Sequence, residues 1–415
     1  MIYLDHAAAT PLSEKAKTAM LPFFSDQFFN PSSAYLPAVA VRKLYEQAKS
    51  DIAHVIGAKG VDLVMTSGAT ESINLAFLLL EDLDAEVLIS ATEHPAVLEN
   101  ARRYKNHQIV AVDTNGCLDL DDFTKKLTKN TQFISVCLAS SELGAIQPIS
   151  DLSRLVAKER ERRALNGEKT PLYFHCDASQ GIGFLGVKIN RLGVDLLTLN
   201  GAKLYGPKGI GALYVGHNVK LKAQVLGGGQ EMGLRSGTEN VPAVVAFAAA
   251  IKEAEDHLAS EQKRLAKLKQ QLRSDLADLP GIKFLGNPKH QLVNFLPISL
   301  PGLDAERLIF MLEEREVYLS TGAACSASKG IKSPSLQAIG LSDSEIAGSL
   351  RLTLGRLNDS ENLKQASFHL HAVVAEESAR LTKTSPSPPA LLDSPKTARL
   401  VSPQSPQKLP PEVEQ

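Results

Sequence analysis

Leu172-Tyr173-Phe174-His175-Cys176 runs apolar into Asp177, and Asp195-Leu196-Leu197-Thr198-Leu199 runs into Asn200-Gly201-Ala202-Lys203. Both runs are short and nearly continuous, the pattern of strands buried on two faces of a parallel sheet. Three further stretches read as strands: Glu86-Val87-Leu88-Ile89-Ser90, Gln108-Ile109-Val110-Ala111-Val112 and Phe133-Ile134-Ser135-Val136-Cys137-Leu138. Apolar residues at helical spacing over 69–80 and 152–165 separate such runs. The alternation predicts an α/β fold, a large mostly parallel sheet with helices outside. A long polar-faced helix over 244–279, with room for an interruption, leads to a second, smaller α/β segment containing 292–296, 305–314 and 349–354. The expected organisation is an N-terminal segment at 1–15 packing with the small domain, a large cofactor-binding domain at 16–250, and a small domain at 251–383. Residues 384–415, rich in Pro and Ser with no period to bury, read as a disordered tail.

Parallel sheets place ligands at the carboxyl ends of their strands, and Asp177 and Lys203 are both predicted there. A lysine amine condenses with an aldehyde, and a carboxylate stabilises a protonated pyridine nitrogen. Pyridoxal phosphate needs that pairing to act as an electron sink. Each residue alone is commonplace, as a strand-end acid or a lysine in a glycine-rich turn. Ser67-Gly68-Ala69-Thr70-Glu71 adds an anion site, because Gly68 allows close approach and the following helix start offers unpaired N–H groups. The same residues also read as a plain helix cap.

Cys325 lies in Ser320-Thr321-Gly322-Ala323-Ala324-Cys325-Ser326-Ala327-Ser328-Lys329-Gly330, whose small and polar residues cannot pack as a core segment. A thiol there is expected to be accessible and chemically employed. Cys117, Cys137 and Cys176 fall in or beside predicted strands and read as packed thiols. In His175-Cys176-Asp177, strand alternation turns Cys176 away from the other two, so no metal site is expected.

Composition narrows the function classes. Lys plus Arg number 45 against 46 Asp plus Glu, with neither sign gathered into a block, so no broad nucleic-acid or anionic-membrane surface is expected. No apolar run approaches the roughly 20 residues that span a bilayer, and Met1-Ile2-Tyr3-Leu4-Asp5-His6 lacks the character of a secretory signal. Four cysteines without CxxC spacing fit a reducing compartment, and the cytoplasm is the expected one.

The ordered motifs Tyr3-Leu4-Asp5-His6-Ala7-Ala8-Ala9-Thr10-Pro11, Asn30-Pro31-Ser32-Ser33, Thr66-Ser67-Gly68-Ala69-Thr70-Glu71, Thr92-Glu93-His94-Pro95 and Asp177-Ala178-Ser179-Gln180 continue beyond the lysine. They are followed by Gly227-Gly228-Gly229-Gln230-Glu231, Arg235-Ser236-Gly237-Thr238-Glu239-Asn240, Gly322-Ala323-Ala324-Cys325-Ser326 and Arg351-Leu352-Thr353-Leu354-Gly355-Arg356. This series closely resembles the cysteine desulfurases of the aminotransferase class V fold, the NifS/IscS-like group, over residues 3–381. The resemblance implies a pyridoxal-phosphate-dependent transferase of fold type I. It gives Lys203 the covalent cofactor link, Asp177 the pyridine nitrogen, Gln180 the phenolic oxygen, and His94 the ring face and proton transfer. Ala69, Thr70 and Asn200 would serve the phosphate, Ser141 would lie near the phenolic oxygen, and Thr238 would reach the phosphate of a neighbouring subunit, implying a homodimer. Arg351 would clamp the substrate carboxylate with Asn30 nearby, and Cys325 would take the sulfur of L-cysteine as a persulfide, leaving L-alanine. The implied partner is a sulfur acceptor, such as an iron–sulfur scaffold or a tRNA-thiolation enzyme. Selenocysteine lyase, another β-elimination or transamination on the same fold, and a cofactor-binding assembly protein are the alternatives.

Two departures stand out. The family commonly has Ser-x-His-Lys where this chain has Asn200-Gly201-Ala202-Lys203, and Asn-Asn-Glu where it has Ser140-Ser141-Glu142. Ala202 cannot supply an imidazole and Ser141 is shorter than an amide, so cofactor binding or ring tuning is expected to differ.

Overall fold

The structure, a computed structural model, describes residues 1–80, 82–322 and 333–384. Cys325 and the expected tail from 385 onward lie outside the described residues. The strands in chain order are β1 (Ile2–Tyr3), β2 (Leu63–Thr66), β3 (Glu86–Ser90), β4 (Asn106–Val110), β5 (Thr131–Cys137), β6 (Tyr173–Asp177) and β7 (Leu196–Asn200). There follow β8 (Gly211–Val215), β9 (Lys283–Phe284), β10 (Phe295–Ser299), β11 (Val317–Tyr318), β12 (Ser320–Thr321) and β13 (Ser349–Thr353).

Seven strands form one sheet in the order β2-β8-β7-β6-β5-β3-β4. The pairs β3–β4, β3–β5, β5–β6 and β6–β7 are parallel, whereas β8 is antiparallel to both β7 and β2. Every strand except β8 therefore ends at the same edge, and the ends of β2, β6 and β7 share it. Alternation along β5 and β6 feeds two cores. Ile134, Val136, Phe174 and Cys176 join one with Tyr45, Ile52 and Phe247, while Phe133 joins Ile73, Phe77 and Tyr104 on the opposite face. A sheet covered on both faces explains why its strands read as apolar runs.

The second sheet, β12-β13-β10-β9, is antiparallel. Its core takes Leu265, Leu268 and Leu272 from the helix Leu258–Asp275, Leu308 and Leu312 from Ala305–Glu313, and Leu363, Leu370 and Val373 from Ser360–Thr384. The expected long helix is two, Val241–Asp256 and Leu258–Asp275, parted at His257 with φ −103° and ψ 4°. Val244, Phe247 and Ile251 serve the large core and Leu265 to Leu272 the small one, so the break lets each half pack separately. Neither Gly nor Pro marks the break, which left its position invisible to sequence reading.

The N-terminal strand belongs to the smaller unit: β1 pairs in parallel with β11, and Ile2, Leu4 and Ala7 are buried in its core. Leu4 bridges β11 and β13, its N donating to Tyr318 O and its O accepting from Thr353 N, each at 2.7 Å. The next residues cross to the large sheet, where Thr10 N donates to Ala202 O at 3.0 Å and Tyr205 N donates to Thr10 Oγ1 at 2.7 Å.

Candidate active site

Asp177 is the last residue of β6, and Asn200 the last of β7. The chain turns at once into a single 3-10 turn, Gly201–Lys203, whose start is capped by Asn200 Oδ1 accepting from Ala202 N at 3.1 Å. That bond uses the Asn200 oxygen and leaves its amino group as a donor. Lys203 Nζ donates to Ala8 O at 2.5 Å. Ser179 donates to Asp177 Oδ1 from its amide at 3.0 Å and its hydroxyl at 2.6 Å, so both bonds fall on one carboxylate oxygen.

His94 caps the helix Pro95–Ala101, its Nδ1 accepting from Ala96 N at 3.1 Å. The cap and the functional reading thus hold together. Burial lowers the imidazole's pKa, with Asp177 opposing and Lys203 reinforcing the shift, so the three groups share one electrostatic neighbourhood. Preceding it, Glu93 is buried; its Oε1 accepts from Cys137 N at 2.7 Å, and its Oε2 has no hydrogen-bond partner among the described residues. Desolvation pushes that carboxyl well above its ordinary value, which favours the neutral acid. Beneath Asp177, His175 bridges three strands: Nδ1 meets Ser135 Oγ at 2.9 Å and Nε2 meets Thr198 Oγ1 at 2.9 Å. Burial lowers it to about 4, so it is a neutral strut.

At the end of β2, Gly68 has φ 150°, and a Cβ built there meets nothing within 4 Å. The helix Ala69–Phe77 that it starts has no side-chain cap bond. Glycine is required on the facing strand, because a Cβ at Gly211 would lie 2.7 Å from Gly68 Cα. Arg235 Nε donates to Glu71 Oε1 at 3.0 Å and Ser67 N donates to Glu71 Oε2 at 2.7 Å, tying residues 235–240 to this turn. An uncapped helix start with open space before it suits a phosphate. Together with Asp177, Lys203 and His94 at one strand edge, the donor set fits pyridoxal phosphate.

Arg351, in β13, reaches the same region from the smaller unit. Its Nη2 donates to Asp5 Oδ1 at 2.7 Å and its Nη1 to Ser141 O at 2.9 Å, while Nε is buried and has no hydrogen-bond partner among the described residues. Gln180 Nε2 donates to Ala7 O at 3.0 Å. Segment 5–8 therefore meets Arg351, Gln180 and Lys203 in turn. Sequence reading placed that segment in a motif yet gave it no role in the site. Glu142, next to Ser141, accepts from Ser333 Oγ, and burial raises its pKa to about 7.

Ala69 is partly buried and Thr70 exposed at the helix start, whereas Ser141 contributes its carbonyl to Arg351. Asn30 and Thr238 are exposed, and no described hydrogen bond or ion pair joins either to the Lys203 group. Asn30 Oδ1 accepts from Ser32 N at 2.9 Å, holding its own turn. One chain thus brings Lys203, Asp177, His94, Gln180, Asn200 and Arg351 into one region.

The sequence matches the model of the aminotransferase class-V family over residues 2–366. The chain belongs to that family, within its cysteine desulfurase group. It is 35% identical to cysteine desulfurase IscS 1 of Archaeoglobus fulgidus, over 88% of this chain and 94% of that protein. Among solved structures, a NifS-like protein superposes with a TM-score of 0.83 at 29% identity, covering 90% of this chain and 99% of the other. SspA in complex with cysteine superposes with a TM-score of 0.73 at 29% identity, covering 85% and 99%.

Proposed function

We propose that the protein converts L-cysteine to L-alanine with pyridoxal 5′-phosphate, passing the sulfur to Cys325 as a persulfide and then to an acceptor protein. The observation that carries this reading is the convergence of Lys203, Asp177 and His94 at the end of the parallel sheet, with Arg351 brought in from the smaller unit. The bound cofactor supplies an electron sink for negative charge at the substrate Cα. Lys203 would hold it covalently, Asp177 would keep a proton on its ring nitrogen, and the Ala69 and Thr70 amides with Asn200 would hold its phosphate. Lys203 Nζ, when free, takes and returns a proton at Cα. Arg351 orients the substrate through its carboxylate.

The Cys325 thiolate attacks the substrate sulfur: the new S–S bond forms as the C–S bond breaks, the electron pair stays on carbon, and protonation gives alanine. His94, whose neutral ring carries its proton on Nε2, supplies protons there. A homodimer in which Thr238 serves the neighbouring site, a cytoplasmic location and an iron–sulfur or thiolation acceptor belong to the same proposal. Incubating the purified protein with L-cysteine and measuring alanine, sulfide and the modified peptide tests it. Equimolar alanine and Cys325 persulfide are expected, and both vanish in Cys325→Ser while cofactor is retained. Alanine formed normally by Cys325→Ser, or turnover of selenocysteine alone, overturns the proposal.

A further inference from the structure

The group proposed to bind the substrate carboxylate already holds a carboxylate of the chain. Asp5 Oδ1 lies 2.7 Å from Arg351 Nη2, and the two side chains are only 18% and 8% exposed. Asp5 is held firmly. The Tyr3 hydroxyl donates to Asp5 O and to Ala9 O, each at 2.9 Å, and the next residue bonds Thr353 through His6 N at 3.4 Å. Ala7 N adds a bond to Thr353 Oγ1 at 2.9 Å. Arg351 is fixed from the other side by the Ser141 carbonyl at 2.9 Å. Among the described residues, no acceptor meets the buried Nε–H of the guanidinium.

Arg351 contributes one positive charge and Asp5 one negative, and burial favours the neutral acid at nearby Glu142. The pair has no net charge to offer a second anionic group. An amino acid with a single carboxylate engages the guanidinium; one with a carboxylate on its side chain also brings that second charge toward Asp5, in a poorly solvated place where like charges repel strongly.

We infer that Asp5 is a positioning and specificity-determining residue, which orients Arg351 and restricts the site to amino acids with one carboxylate, excluding dicarboxylic amino acids. This rests on the proposed role of Arg351. The test is binding of L-alanine and of L-aspartate to the cofactor-loaded protein by calorimetry, compared with Asp5→Asn and Asp5→Glu. The unaltered protein should favour L-alanine by about tenfold or more, the scale of a single like-charge contact. Asp5→Asn should weaken L-alanine binding and bring the preference down about tenfold. Asp5→Glu, which keeps the charge but displaces it, should keep the preference with lower affinity, and it decides the matter if Asp5→Asn does not fold. An equal loss for both ligands in Asp5→Asn, a preference lost in Asp5→Glu, or no preference in the unaltered protein overturns the inference. The ratio comes from binding alone, so a protein that prefers L-alanine yet fails to desulfurate L-cysteine refutes the proposed reaction and not this inference.

Discussion

His94 Nδ1 accepts the amide proton of Ala96 at 3.1 Å, which commits the neutral ring to carrying its own proton on Nε2. One residue therefore ends a loop, starts the helix Pro95–Ala101 and keeps a ring donor free in the electrostatic neighbourhood of Asp177 and Lys203.

Because capping and proton transfer use different atoms of His94, they separate by substitution. His94→Asn restores an N-cap acceptor but has no ring nitrogen. It should melt within a few degrees of the unaltered protein while alanine production falls about 10²- to 10⁴-fold, the range of a lost general acid or base. Differential scanning calorimetry beside a turnover assay checks both; undiminished turnover would remove His94 from the reaction.

Lys203 stands on a single turn, and its bond to Ala8 O is with the backbone. Lys203→Ala should leave the fold intact and abolish turnover. Borohydride should fix cofactor to the unaltered protein at Lys203 and not to the variant. Fixation at another lysine with normal turnover would refute the assignment.

Glu142 gives a pH signature of stability. Its folded value is raised from 4.5 to about 7 by burial, so ionisation opposes the fold. The unaltered protein should lose stability from this group as pH rises from about 4.5 through 7, and lose none below 4.5. Glu142→Gln, which still accepts from Ser333, should be more stable by about 1–2 kcal/mol at pH 8 and equal near pH 4. Urea unfolding at the two pH values measures the difference. A variant less stable than the unaltered protein at pH 8 would show that Glu142 is retained as a charge.

What sequence reading reached, and what it missed, divides by the range of the interaction. Asp177 and Lys203 are suggested by their places at a strand end and in a glycine turn, and His94 only by the family resemblance. Strand limits slipped where exposure relaxes the pattern. The run expected at 108–112 is the strand Asn106–Val110, because β4 forms a sheet edge and tolerates Asn106 and His107, while Ala111 N turns away to Asp122 at 2.7 Å. β10 runs to Ser299, three residues past the expected end, with Pro297 O accepting from Leu285 N at 2.9 Å. The Asp5–Arg351, Ala7–Gln180 and Ala8–Lys203 contacts span 346, 173 and 195 residues. No local period encodes such pairings. They exist because β1 joins the small sheet and the next residues return across the large one.

His175 lies under the site as a neutral ring at pH 7, since both ring nitrogens are engaged by Ser135 and Thr198 and burial lowers its pKa to about 4. The sign follows from that depression: the unfolded chain takes up a proton near pH 6.5 that the folded chain refuses until about 4, so stability falls as pH drops through that window. His6, buried and also lowered to about 4, adds to the same loss. His175→Gln offers an acceptor and a donor to the two hydroxyls and does not ionise. It should cost stability at pH 7.5, where the imidazole fits best, and lose less than the unaltered protein between pH 7 and pH 4.5. Since His175 holds β5, β6 and β7 together two residues before Asp177, the variant should also retain cofactor less tightly. Denaturant titrations across the pH range, with equilibrium dialysis of pyridoxal phosphate at pH 7.5, test both effects. An unchanged pH slope would show that His175 is protonated in the folded protein, and unchanged retention would confine it to the sheet.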